Sequence, residues 1–315
     1  MKICRKEIEK MDDKRKVFLA DCALVLAAIC WGGGFIAGDI AVQYFSTFYI
    51  LATRFLAAAM IMFLIFGRTI KRCGKAEIRS GLILGTLFYF FMPLQVIALK
   101  YTTPSKQAFL LAGYAAMVPF ISWVVLKNRP KVNSFIAGVL VMMGIGLISL
   151  NEALTIELGD GLSLGFSLSY AVFVVLTGIF AGKCNPLGMS FFSYLVTGML
   201  SLITALLFEE FPTSFPPAGV MSLAYLAIIN TAVAYTLQNV AQKYTSDTHT
   251  AVLLSTESLF AFIIGVCFYG DPFTPRILTG GLIIFLAVIV SQRKKKTTPC
   301  QNVEKDSTDK VSNDS

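Results

Sequence analysis

Apolar positions along this chain gather into ten long runs with short polar breaks between them. They lie at about 17–38, 45–66, 80–99, 105–126, 132–150, 161–181, 188–208, 217–240, 249–269 and 273–291. An α-helix needs roughly 20 largely apolar residues to cross a hydrocarbon core of about 30 Å. The polar breaks leave no stretch long enough for a soluble domain. The pattern predicts an all-α integral membrane protein with ten transmembrane helices. It divides the chain into a basic N-terminal segment at 1–16, a five-helix unit at 17–150 and an outer connecting loop at 151–160. A second five-helix unit at 161–291 and a polar tail at 292–315 follow.

The two units are related. Shifted by 143 residues, Ala98-Leu99-Lys100-Tyr101-Thr102 falls on Ala241-Gln242-Lys243-Tyr244-Thr245. The match runs on through Ala108 and Ala251, Leu110 and Leu253, and Leu111 and Leu254, so seven of the fourteen positions in 98–111 are identical. Gln95 falls on Gln238 and Gly138 on Gly281. Apolar composition alone does not align Lys-Tyr-Thr with itself, which points to duplication. Each unit has an odd number of spans, so the expected repeats sit in the membrane with opposite orientation. Inverted repeats are a construction plan of secondary transporters, whose site lies near the midplane between the halves.

Charge supports that orientation. Of 27 Lys and Arg, 23 fall in segments on the N-terminal side of the membrane, mainly 2–16, 68–79, 127–131 and 293–296. The opposite loops carry Asp39, Glu152, Glu157, Asp160, Glu209 and Glu210. The positive-inside rule then places both termini in the cytoplasm of a multi-pass plasma-membrane protein. The net charge of +8 is explained by this distribution and is no sign of nucleic-acid binding. Lys294, Lys295 and Lys296 read as a basic anchor at the membrane edge. The first span shows no small-residue cleavage site and is expected to be retained.

Enzymatic readings fare poorly. The seven cysteines lack zinc-ligand or CxxC spacing, and His249 is the single histidine. Gly161-Leu162-Ser163-Leu164-Gly165 matches a nucleophile-elbow pattern, but it opens an apolar helix and lacks its strand. A small-residue packing face explains it better. No phosphate-binding GxxxxGK stretch occurs, so direct ATP coupling is unsupported. No enzyme activity, metal or cofactor is expected.

Ala27-Ala28-Ile29-Cys30-Trp31-Gly32-Gly33-Gly34-Phe35, followed by Ala52-Thr53-Arg54-Phe55, resembles the first two spans of the EamA-type branch of the drug/metabolite transporter superfamily. Leu253-Leu254-Ser255-Thr256-Glu257, then Phe268-Tyr269-Gly270-Asp271-Pro272, resembles that family's ninth span and its exit. The resemblance covers about residues 17–291 as two five-helix modules. It implies a ten-helix secondary transporter, commonly an exporter of metabolites, amino acids or drug-like compounds. Three positions depart from the family pattern: Ser258 in place of Pro, Asp271 in place of Glu, and Asp39 where a basic residue is frequent.

Arg54 and Glu257 lie near the centres of the second and ninth spans. A charge at mid-bilayer costs about 2.5–3.5 kcal/mol on insertion scales, so such groups face protein or a wet cavity. The pair either forms a structural bridge or serves a cavity, binding a charged group or exchanging a proton. Arg54 has only Thr197 at its repeat-related position, and Glu257 corresponds to Tyr114. Symmetry is required of the scaffold, not of a site. Span eight is rich in polar residues: Asn230, Thr231, Tyr235, Gln238 and Asn239, with 231, 235 and 238 on one α-helical face. They either bond between helices or line a cavity to which Gln95 adds an amide. Trp31, backed by three glycines, is a candidate aromatic wall or an ordinary packing residue. Tyr114 and Pro119 are candidates for a hydroxyl and a kink, while Lys100, Lys106, Lys243 and His249 are expected at solvated interfaces. The expected partners are a small molecule, the bilayer and, as a coupling ion, protons. A non-transporting scaffold or receptor is the alternative class; substrate, direction and oligomeric state are not legible.

Overall fold

The computed structural model describes residues 2–127, 132–149, 157–270 and 274–292. The expected tail beyond 292, most of the 151–160 loop, and Asp271 and Pro272 lie outside the described residues. Among the described residues every regular element is helical. In chain order these are α1 (Lys2–Val42), α2 (Thr47–Ile70), α3 (Lys75–Ala98), α4 (Pro104–Ala112), α5 (Tyr114–Leu126) and α6 (Val132–Ser149). There follow α7 (Leu158–Ala181), α8 (Pro186–Phe208), α9 (Pro217–Tyr225), a π-helical stretch Leu226–Val233 and α10 (Ala234–Ala241). The chain ends on α11 (Asp247–Ser255), α12 (Glu257–Ile264), a second π-helical stretch Gly265–Tyr269 and α13 (Pro275–Gln292).

Taken as continuous rods, α4–α5, α9–α10 and α11–α12 each make one membrane-length unit. With α1, α2, α3, α7 and α8 they give eight helices long and apolar enough to cross a bilayer among the described residues. The runs expected at 132–150 and 273–291 form α6 and α13, whose apolar stretches are shorter, Ile136–Ile148 and Pro275–Ala287. Large apolar side chains such as Leu64, Val124 and Phe208 are more than three-quarters exposed, as a lipid-facing surface requires.

Local chemistry sets the helix starts. Proline occupies the first turn of α4, α8 and α9, where its missing N–H costs nothing. Thr103 caps α4 by accepting from Lys106 N at 3.4 Å, and Ser246 caps α11 by accepting from His249 N at 3.3 Å. These caps are 143 residues apart, and so are the helices they start: 104–112 shifts onto 247–255, and 132–149 onto 275–292. The α4–α5 rod breaks at Gly113 and the α11–α12 rod at Thr256, the same shift again. Tyr114 and Glu257 are the first residues past the two breaks. Pro119, where a kink was expected, lies inside α5, and the break in the helix assignment falls at Gly113.

Helices in matching places also pack on each other. α2 lies along α8, and α6 along α13. The second pair meets at glycines: a Cβ on Gly144 would stand 2.8 Å from the Gly280 carbonyl oxygen, and one on Gly280 2.9 Å from that of Gly144. Only bare backbone allows such an approach. The main core runs through α1, α2, α3, α7 and α10, with large buried side chains Phe55, Phe88, Phe91, Phe173 and Tyr194. Lys106, expected in solvent, instead reaches Asp160 at 2.9 Å and Glu157 at 3.2 Å, tying α4 to the start of α7 around a fully buried carboxylate. His249 Nε2 lies 2.9 Å from Asp21 Oδ1, joining α11 to α1.

Candidate functional site

The π-helical stretch builds the site. An α-helix brings every third or fourth residue to one face, whereas a π turn holds one residue more. Leu226, Asn230 and Tyr235 therefore share a face of span eight, with Asn230 and Tyr235 five positions apart. The α-helical register expected from the sequence put Thr231 and Tyr235 together instead. Thr231 turns sideways and donates to the carbonyl of Leu226 at 2.7 Å.

Arg54, on the first turns of α2, meets this stretch. Its Nε donates to Thr231 Oγ1 at 2.5 Å, and Nη2 donates to Asn230 Oδ1. The guanidinium carbon lies 5.4 Å from the Phe55 ring centre and 5.9 Å from that of Tyr235, within cation–π range. From α1, Trp31 Nε1 donates to the Asn230 carbonyl at 3.0 Å, and its ring sits 4.7 Å from Tyr235 and 6.2 Å from Tyr170. The glycines after Trp31 make room. A Cβ on Gly34 would fall on the Asn230 amide nitrogen, and one on Gly32 would stand 2.6 Å from Phe260 Cβ. One residue, Asn230, is thus gripped from α1 and α2 at once.

These groups surround a narrow cavity. Trp31, Arg54, Gln95, Asn230, Tyr235 and Glu257 all line it, together with Gly34, Phe35, Tyr170 and Phe166. It measures about 30 Å³, room for little more than a water or two and far below the roughly 300–1,000 Å³ of a ligand pocket. Most lining residues of α1, α2, α3 and α7 lie in the halves of those helices nearest residues 43–46, 99–103 and 157. Toward the other end the path is filled. Tyr170 Oη donates to Gln238 Oε1 at 3.1 Å, Gln238 Nε2 to Gln242 Oε1 at 3.1 Å, and Gln242 Nε2 to the Val174 carbonyl at 2.9 Å. Phe88, Phe173 and Tyr235 pack beside that chain.

Glu257 faces the cavity yet makes no hydrogen bond or ion pair among the described residues. Arg54 bonds Asn230 and Thr231 rather than Glu257, so a bridge between the two charges is not present in this state. The Oε1 of Gln95 is likewise buried without a partner among the described residues. Buried polar groups are normally satisfied, so these two open acceptors lining one cavity mark where a polar guest fits.

Of the nine candidates read from the sequence, six line the cavity. Gln238 stands behind Tyr170, and Tyr114 packs on the same ring at 4.8 Å. Asn239 points away, donating to Ser190 Oγ of α8 at 2.7 Å. Tyr170 was not among the nine. Its signal was the aromatic spacing of Phe166, Tyr170 and Phe173 along one face of α7.

Comparison with known proteins adds the following. The EamA-like transporter family model matches the chain twice, over residues 18–150 and 157–292. An uncharacterized transporter of Archaeoglobus fulgidus is 28% identical over 279 residues, which cover 87% of this chain and 86% of that protein. The uncharacterized transporter YyaM of Bacillus subtilis is 27% identical over 280 residues, 84% of this chain and 90% of its own. A crystal structure with 15% sequence identity superposes with a TM-score of 0.67 over 87% of this chain and 96% of its own, showing a shared fold.

Proposed function

Because this chain belongs to the EamA-like transporter family, we propose that it is a secondary carrier exporting small zwitterionic metabolites, such as amino acids, across the plasma membrane. Membership makes it a multi-pass membrane transporter; substrate class, direction and coupling are our reading. The observation that carries it is Arg54 and Glu257 on the walls of one cavity, unpaired with each other. A cation and a carboxylate held apart suit a molecule bearing both opposite charges. Trp31 and Tyr235 supply a face for its apolar part.

The cavity is too small for such a molecule as it stands, so binding requires the helices around it to separate. Alternating access by two inverted five-helix units, 17–150 and 161–291, provides the motion. The matching breaks at Gly113 and Thr256 and the matching helices α6 and α13 support that reading, as do the two family matches. In this cycle Glu257 exchanges a proton against the substrate's cationic group, coupling export to the proton gradient.

The test is uphill transport in proteoliposomes with an imposed pH gradient, using radiolabelled amino acids. Glu257→Gln keeps shape and hydrogen bonding but cannot cycle a charge. It is expected to bind substrate and to equilibrate it, but not to concentrate it. Gradient-driven accumulation at the wild-type level in Glu257→Gln would remove the proton role.

A further inference from the structure

A second pocket lies away from the central cavity, at the end of the bundle bearing the basic segments. It is a groove of about 530 Å³ between the α2–α3 connection and the start of α8, lined by Arg68, Thr69, Arg72, Cys73, Glu77 and Asn185. We propose that this groove binds the phosphate of an anionic phospholipid, whose acyl chains run along the exposed apolar face of α2.

Arg68, in the last turn of α2, and Arg72, in the turn that follows, where its N bonds the Thr69 carbonyl at 3.1 Å, are four positions apart. Two like charges at that spacing repel. Among the described residues neither guanidinium has a hydrogen bond or ion pair. The groove's single carboxylate, Glu77, forms no ion pair with either of them among the described residues. Its Oε2 accepts from Gly74 N at 2.8 Å and Oε1 from Asn185 N at 3.1 Å, which stitches the α2–α3 turn to the cap of α8. That stitch makes the groove a built feature and not a gap between loops. Its far wall is the positive end of α8, a 23-residue helix capped by Asn185. Two forked cations match a phosphate monoanion or dianion, and the α8 dipole adds to the positive potential although Asn185 N and Leu187 N are already bonded within the protein.

The position selects a lipid as the phosphate's source. Directly beneath Arg68 on α2, Phe63, Leu64 and Ile65 are exposed by 43%, 76% and 66%. Lys71 lies over the Phe63 ring at 5.8 Å, closing the boundary between charged groove and apolar face. A free phosphate uses only the groove; a phospholipid uses both.

The purified full chain is to be compared with Arg68→Gln/Arg72→Gln by native mass spectrometry after equilibration with phosphatidylglycerol or phosphatidylcholine. Wild type is expected to retain phosphatidylglycerol over phosphatidylcholine by about tenfold, and the double variant to lose that preference. Arg79→Gln, an exposed arginine outside the groove, is expected to keep it. Melting temperature serves as the folding control, which the exposed positions of all three arginines make informative. Equal retention of phosphatidylglycerol by wild type and double variant overturns the proposal, as does absence of preference in the wild type. Displacement of phosphatidylglycerol by millimolar inorganic phosphate overturns the lipid assignment in favour of a free-anion site. This inference stands apart from the central cavity, so failure of either reading leaves the other untouched.

Discussion

Replacing Arg54 is the most direct perturbation of the proposed carrier site. Arg54→Gln removes a buried cation whose Nε and Nη2 are engaged by Thr231 and Asn230. Those two bonds orient the guanidinium and leave its other N–H donors for a guest. A hydrogen bond to a charged group contributes about 1.5–3 kcal/mol, so losing it toward a substrate carboxylate should weaken binding by about 10- to 150-fold. Within the protein, Asn230 Oδ1 loses its donor, a cost of about 1–3 kcal/mol in stability, while Thr231 keeps its bond to Leu226. Arg54→Lys retains charge without the fork and should fall between the two. The cavity carries its own reporter. Only Trp31 and Trp123 occur in the chain, and Trp123 is exposed, so a Trp123→Phe background isolates Trp31 fluorescence, 4.7 Å from Tyr235. Titration with amino acids, and with analogues lacking the carboxylate, then reads binding without any need for flux. A folded Arg54→Gln protein that binds carboxylate and carboxylate-free ligands as the wild type does would refute the assignment.

Other expectations follow from single contacts. In Gly34→Ala the new methyl displaces the Asn230 amide, so transport should fall at least about tenfold while stability drops by about 1–3 kcal/mol, read by flux and thermal melting. Gly280→Leu forces α13 off the α6 backbone and should lower the melting temperature without altering the Trp31 signal of whatever folds. A tag at residue 315 should be reachable only from the cytoplasm and a reporter at Glu157 only from outside; ends found on opposite faces would remove one span and the inverted arrangement with it. Tyr170→Phe breaks the bond to Gln238, worth about 1 kcal/mol, and should raise leak of substrate more than it changes binding.

The helical class and six of the residues that line the central cavity were legible because the membrane makes polar residues conspicuous. Arg54 and Glu257 stood out as charges in apolar runs, and Trp31 stood out beside its glycines. The face of span eight was misjudged because periodicity was counted at the α-helical value, and no sequence pattern announces the extra residue of a π turn. Tyr170 hid for the opposite reason: a tyrosine among phenylalanines reads as packing until a partner such as Gln238, from a distant helix, is known. Lys106 was read as solvated because sequence distance conceals Asp160. The break at Gly113 went unseen while Pro119 drew attention, since a proline's missing hydrogen bond can be absorbed by its surroundings and a tightened glycine turn leaves no composition signal.

The contracted cavity bears on what an unloaded carrier is free to do. Arg54 has Asn230 and Thr231 to receive its charge when no substrate is present, so that side of the cavity closes without stranding a cation. Among the described residues Glu257 has no such host. A bare carboxylate shut away there would be an uncompensated buried charge, while a protonated one would not. In the proposed cycle the empty protein therefore crosses back only with a proton aboard. The return stroke, not the substrate, sets the stoichiometry: one proton comes back for each molecule exported, and in a cell whose gradient collapses net uphill export would cease because both sides then supply that proton equally.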